Sequence, residues 1–266
     1  MAQPLTDVEE YDQFGTPPTT QQDCDFLVDL MRRQNAGSPR LLDLACGTGR
    51  HAVEMAKRGY DVTGVDISEE RLQDAQSQAT KLGFTNCRFL KADLRDLRLE
   101  PSFGYAYSFF NTFSLFVDND DLLTILGKCR SCLTEGGRIV IEVGSLWCPI
   151  ADGKFHNDSY EQKHDRGTLI RTVKGTLRLA RANNVYRHDR VIQYRRDGVD
   201  YPPEDAPATQ RIYSINEWDL LGRLTGMRIE HVFGAMDITH EITDPNSCDG
   251  KPGDHELVLV LARQGE

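Results

Sequence analysis

Residues 41 to 52 read LLDLACGTGRHA. An apolar run carries one aspartate and is followed by glycines around Cys46 and Thr48. The run has the length of a short buried strand, and the residues after the second glycine open a helical pattern. Gly47, Gly49 and Ala52 keep the G-x-G-x-x-G/A spacing of turns that cradle a dinucleotide pyrophosphate. Asp43, however, stands four residues before the first glycine, where a phosphate would meet a negative charge. The spacing alone leaves three readings open: a dinucleotide site, a nucleoside site, or a tight strand-to-helix turn.

The alternation begun by this stretch continues outward. A helical pattern over 22–34 precedes it and stops at Asn35-Ala-Gly-Ser-Pro39. After the turn come a helix from Arg50 to Arg58, a strand over 60–66, and a helix capped by Ser68 and ended by Gly83. Strands at 87–93, 104–110 and 136–144 follow, with a helix at 119–133 before the last. Strands alternating with helices imply an α/β fold, a Rossmann-like doubly wound sheet with right-handed crossovers. Ligands in such sheets sit beyond the carboxyl ends of the strands. The informative residues are then Asp43, Asp66, Asp93 and the segment around Asn111. After Gly144 the pattern changes. TLIRTVKGTLRLA and VYRHDRVIQYRR flank Asn183-Asn184, with Asp197-Gly198 as a further turn signal, and read as antiparallel strands. Ser214 and Glu217 form a capping-box pattern opening a helix through Leu224, and 227–234 and 255–262 read as two closing strands.

Composition sets the bounds. The chain has 266 residues, 39% hydrophobic and 27% charged, with a formal net charge of −10. That size supports a core without disulfides or metal. The acidic balance argues against non-specific nucleic-acid or anionic-membrane binding. No apolar run approaches a membrane span, and MAQPLTDVEEYDQFG lacks the basic start and apolar stretch of a secretory signal, so a cytoplasmic location is expected. The seven cysteines read as reduced thiols. Cys129 and Cys132 form a C-x-x-C inside a helical pattern without a second pair at zinc spacing, and no metal is expected.

The aspartates discriminate among the three readings. A carboxylate at Asp43 opposes a pyrophosphate and favours an ammonium group. Asp66, ending the second strand, suits a ribose diol, and Asp93 suits an adenine amino group with Leu94 against the ring. Amine, ribose and adenine without phosphate describe S-adenosylmethionine. LLDLACGTGRHAVEMAKRGYDVTGVDIS resembles the first two motifs of the class I S-adenosylmethionine-dependent methyltransferases, and FLKADLRDL and LTEGGRIVIEV resemble their later motifs. The likeness covers about residues 20–144 through specific motifs and 214–262 more loosely.

The resemblance implies a seven-stranded sheet whose last strand is antiparallel, here with an antiparallel β insertion after the fifth strand. With the polar first residues and the change of pattern after Gly144, the chain divides into an N-terminal arm (1–20), a cofactor-binding methyltransferase domain (21–144 and 214–266), and an insertion (145–213) expected to cap the acceptor side. The resemblance implies that Asp43, Ala45, Cys46, Gly47, Thr48 and Gly49 hold the methionine moiety, with Arg50 beside them also among the cofactor-binding residues. Asp66 would bind the ribose, Ile67, Asp93 and Leu94 the adenine, and Asn111 would lie near the sulfonium. Ala45 departs from the family's usual glycine, and Gly104-Tyr105 from its usual carboxylate. Tyr11 resembles a tyrosine that closes over the cofactor in many relatives.

The implied reaction is in-line methyl transfer to N or O of a small molecule, yielding S-adenosylhomocysteine. It needs alignment more than a signature triad, so no catalytic residue is assigned; Tyr11, His156 and His231 are candidates for a base. Asn111-Thr112-Phe113 is not the Asn-Pro-Pro-aromatic signature of enzymes that methylate DNA bases. The insertion holds twelve Lys and Arg against nine Asp and Glu. Arg171, Arg178, Arg187 and Arg195 either meet an anionic acceptor or form the solvated face of an amphipathic sheet. A monomer or homodimer is expected. The rival functions are an NAD(P)-dependent oxidoreductase, which Asp43 disfavours, and a non-catalytic module that binds S-adenosylmethionine without turnover.

Overall fold

A computed structural model describes residues 5–10, 13, 19–36, 39–144, 159–180, 183–234, 236–243 and 256–265. One helical turn, α1 (Asp7–Glu10), is followed by α2 (Thr20–Arg33), β1 (Leu41–Leu44), α3 (Arg50–Lys57), β2 (Val62–Asp66), α4 (Glu69–Lys81), β3 (Cys87–Lys91), β4 (Phe103–Ser108), α5 (Asn119–Cys132) and β5 (Leu133–Gly144). Short 3-10 helices at Leu94–Asp96 and Thr112–Leu115 flank β4. Six strands follow, β6 (Ser159–Arg166), β7 (Leu169–Ala180), β8 (Val185–Arg196), β9 (Val199–Asp200), β10 (Glu204–Asp205) and β11 (Ala208–Arg211). Then come α6 (Ile215–Leu224), β12 (Met227–Gly234) and β13 (Glu256–Arg263).

Seven strands form one sheet in the order β12-β13-β5-β4-β1-β2-β3. β1 pairs in parallel with both β2 and β4, so the strand order reverses at β1. β13 runs antiparallel to both of its neighbours, β5 and β12. This is the Rossmann-like sheet with an antiparallel last strand that the motifs imply. Alternating side chains of β5 divide the core in two. Ile139, Ile141 and Val143 join Leu42, Leu44, Phe113 and Trp218 on one face. Val140 joins Leu27, Leu41, Met55, Tyr105, Tyr107 and Phe233 on the other, under α2 and α3. Cys129 and Cys132 are free thiols fully buried in the first of these clusters.

By contacts the chain divides into two compact units, Pro18–Ser145 with Tyr213–Glu266, and Met1–Pro17 with Leu146–Ile212. The second unit is built on an antiparallel sheet in which β7 pairs with β6 and β8, and β8 also pairs with β9, β10 and β11. The turns at Asn183-Asn184 and Asp197-Gly198 fall where the sequence signals them, each with a residue at positive φ. β6 escapes a reading by hydrophobic alternation because SYEQKHDR has no apolar face. The first residues belong to this unit. Thr6 and Glu9 exchange capping-box hydrogen bonds, and Leu5 packs with Leu169, Val173, Ile192 and Tyr194.

Candidate functional site

β1, β2, β4 and β5 bring their carboxyl ends to one edge of the large sheet, at the point where strand order reverses. Open α/β sheets place their ligand crevice there. A cavity of about 380 Å³ lies at the opposite edge, lined by Gln34, Arg40, Tyr105 and Arg138 among others. Its arginines are paired with Asp61 and Glu230.

The turn after β1 is held by alternating left-handed residues, Ala45 at φ 56°, Gly47 at φ 56° and Gly49 at φ 75°. Glycine takes this conformation freely, whereas alanine pays a steric penalty there. Gly49 has a second reason: a Cβ would stand 2.7 Å from Ala75 Cβ and 2.9 Å from the Phe89 ring. Thr48 and Cys46 are buried beneath the turn.

Asp66 is seated by two backbone donors. Its Oδ2 accepts the Gly47 N–H at 2.8 Å and its Oδ1 the Ser68 N–H at 2.9 Å. The carboxylate is thereby tied to the glycine turn, with lone pairs left for a diol. Ile67 beside it is 63% exposed, an unusual position for a large apolar side chain and a suitable one for a flat ring. Asp43 is 3% exposed, and its Oδ2 finds no hydrogen-bond partner among the described residues. Burial raises its pKa to about 7, against the opposing pull of the Tyr107 hydroxyl and Arg50.

Asp93 is engaged differently. It caps the short helix at Leu94 and takes three donors from Arg95, including Nη2 at 2.6 Å. Those bonds hold its pKa below the usual carboxylate range. Leu94 is buried in the core. Phe110 and Asn111 are consecutive left-handed residues at φ 64° and 51°. Asn111 Oδ1 accepts the Gly144 N–H at 3.0 Å, and Glu142 accepts the Phe110 N–H at 2.6 Å, so β5 pins the strained turn after β4 at two points. Burial, with Glu256 nearby, pushes Glu142 up to about 8.

Arg50 opens α3 and turns toward the start of α2. It donates to Thr20 Oγ1 at 2.8 Å, stands 4.0 Å from Asp23, and lies over the Phe110 ring. His51 Nε2 is 2.9 Å from buried Asp23, and burial lowers its pKa. No local sequence pattern marks Tyr107, Glu142, Asp23 or His51. They reach the site through strand register and helix packing, which no local motif encodes.

Tyr11 and His156 lie outside the described residues. His231 lies on β12, separated from β4 by β13 and β5, with Nδ1 2.6 Å from Glu241. Arg171 pairs with Glu10, Arg178 and Arg187 with Asp189, and Arg195 with Asp200. Among the described residues no group of three His, Cys, Asp or Glu side chains is arranged to hold a metal ion.

A family model described as a methyltransferase domain matches residues 41–137. The dTDP-3-amino-3,4,6-trideoxy-alpha-D-glucopyranose N,N-dimethyltransferase of Streptomyces venezuelae is 25% identical over 79% of this chain and 84% of its own. An S-adenosylmethionine-dependent methyltransferase from Clostridium acetobutylicum superposes with a TM-score of 0.77 at 18% identity, over 96% of each chain. A SAM-bound amino pentose methyltransferase from Micromonospora echinaspora superposes with a TM-score of 0.70 at 16% identity, over 99% of each chain.

Proposed function

We propose that this chain, a class I S-adenosylmethionine-dependent methyltransferase, transfers the methyl group to an amine nitrogen of a small, sugar-sized acceptor. The observation that carries the cofactor reading is buried Asp43, whose Oδ2 finds no hydrogen-bond partner among the described residues, beneath a turn whose Gly47 N–H is tied to Asp66. A buried carboxylate oxygen without a donor suits an ammonium and disfavours a pyrophosphate. In this reading Asp43 and the turn from Ala45 to Arg50 take the methionine end. Asp66 takes the ribose diol, and Ile67, Asp93 and Leu94 flank the adenine. Asn111 sits toward the sulfonium.

S-adenosylmethionine, when bound, supplies an activated methyl group on a sulfonium that leaves as a neutral thioether. The residues of the chain orient the two reactants and exclude water. An amine acceptor must lose its proton before attack. Two features support nitrogen over oxygen and over an anionic acceptor. The amino-sugar N,N-dimethyltransferase is matched over 84% of its own length, whereas the O-methyltransferases that the chain is similar to are matched over 41–57% of theirs. The four arginines that could greet an anion each face a carboxylate of their own unit. We further read the insertion 145–213 as the acceptor-side cap, and the chain as cytoplasmic. No helix among the described residues is long and apolar enough to cross a membrane.

The test is transfer of labelled methyl from S-adenosylmethionine to panels of amino sugars, simple amines, phenols and carboxylates. Label in the amines, followed by a second methylation of the same nitrogen, is the expected outcome. Transfer to phenols or carboxylates alone would move the acceptor atom to oxygen.

A further inference from the structure

β4 and β5 pair in parallel only as far as Ser108 and Ile141, whereas β5 runs on to Gly144 against β13. The overhang of β5 is spent on the turn beyond β4. Glu142 Oε2 accepts the Phe110 N–H at 2.6 Å, and the Gly144 N–H donates to Asn111 Oδ1 at 3.0 Å. From the other side the Ser114 hydroxyl donates to the Asn111 carbonyl at 2.8 Å. Gly144 also makes the room, since a Cβ there would stand 3.2 Å from Asn111 Nδ2.

What these contacts hold is costly in itself. Phe110 and Asn111 are left-handed at φ 64° and 51°. Asparagine visits this region readily, but a phenylalanine there is an outlier. Glu142 is a costly choice too. It is 5% exposed on a strand whose residues Ile139, Val140, Ile141 and Val143 are all buried, and a valine would serve strand and core better. Strained backbone persists only where its surroundings over-determine it, and it gathers where geometry serves a ligand. The outcome of the clasp shows in two successive rings. Phe109 is buried against His51 and Tyr107. Phe110 is 41% exposed beyond the carboxyl end of β4, with the Arg50 guanidinium 5.8 Å from its ring centroid. An aromatic ring on a fixed backbone at the crevice is a wall against which a small molecule can be seated.

We propose that Glu142 is a positioning residue that acts through the Phe110 backbone, setting the Phe110 ring as the apolar wall that aligns the acceptor amine with the methyl group. Glu142 accepts one backbone hydrogen bond and takes no proton from the acceptor. The inference rests on the reading that Asn111 lies toward the sulfonium and that the acceptor is an amine. A wall whose backbone is loose admits unproductive poses, so losing the clasp falls on kcat, whereas losing the ring itself falls on the acceptor's KM.

The experiment is steady-state transfer of labelled methyl by the full chain, with an amino sugar from the panel above as acceptor and S-adenosylmethionine affinity read separately by calorimetry. Glu142→Ala is expected to lower kcat by about 10- to 100-fold while S-adenosylmethionine affinity holds. Glu142→Gln, whose amide oxygen accepts the same N–H, recovers most of that loss. Phe110→Ala keeps the clasp and raises the acceptor KM. Gly144→Ala crowds Asn111 without touching Glu142, lowers kcat in the same direction, and serves if Glu142→Ala does not fold. A kcat as low in Glu142→Gln as in Glu142→Ala makes the carboxylate itself the working group and overturns the proposal. An unchanged kcat in Glu142→Ala and Gly144→Ala, an unchanged acceptor KM in Phe110→Ala, or a matching loss of S-adenosylmethionine affinity in Glu142→Ala overturns it as well. Those results leave the amine reading standing, because the unsubstituted chain still methylates the amino sugar. An unsubstituted chain that binds S-adenosylmethionine and methylates no amine overturns that reading and this inference together.

Discussion

At the scale of single residues, the site holds two stored costs. Ala45 occupies the left-handed region, where the Cβ of alanine is crowded against the backbone. Ala45→Gly should therefore stabilise the fold by about 1 kcal/mol in urea denaturation, the relief of strain exceeding the extra freedom of the unfolded glycine. Asp43 carries the other cost. Its pKa rises from 3.8 to about 7 in the folded chain. Its favourable contribution is thus complete below pH 4 and lost as pH climbs through 7. Asp43→Asn should raise thermal stability of the ligand-free protein at pH 8, by on the order of 2 kcal/mol, and leave it unchanged below about pH 4. A gain in stability with a loss of cofactor affinity is the mark of a group kept for function.

At the scale of elements, the sequence was readable wherever a local signal existed. The glycine turn, the Ser68 cap and the strand-end aspartates announce themselves within a few residues. So does the Ser214–Glu217 box, where Glu217 Oε2 accepts the Ser214 N–H at 2.7 Å and the Ser214 hydroxyl accepts the Glu217 N–H at 3.3 Å. Ser214→Ala should lower stability by about 1 kcal/mol with the far-UV spectrum preserved, since α6 is also anchored by buried Trp218 and Leu221. Non-local relations were not readable. The pairing of Asp43 with Tyr107 depends on register between residues 64 positions apart in the chain, and a slip of one residue would turn Tyr107 to the other face. The same holds for Glu142, which sits among buried β5 residues of the opposite character. β6 and the Thr6–Glu9 turn were invisible for a different reason: one lacks apolar residues on either face, and the other is a single helical turn.

At the scale of the whole molecule, the two units differ in how they are held. The large sheet is packed on both faces by extensive clusters of buried residues. Among the described residues the smaller sheet has one cluster of five buried hydrophobic residues, Leu5 from the N-terminal segment among them. Fewer buried contacts mean opening at lower free energy. Amide hydrogen exchange should therefore be faster in β6, β7 and β8 than in β1, β4 and β5. Leu5→Ala should accelerate exchange in the smaller sheet without altering the larger one. Equal protection of the two sheets would show that the units unfold as one.

The buried thiols make the chain its own stopwatch. Cys24, Cys46, Cys87, Cys129 and Cys132 are free and buried, and burial raises the pKa of each. An alkylating reagent reaches them only in molecules that have opened. Their positions sample α2, the glycine turn, β3 and α5 separately, so the order in which they are alkylated records the order in which the architecture comes apart. Cys46 lies within the turn itself, where a bound nucleoside should stop that one hand of the clock while the others run on.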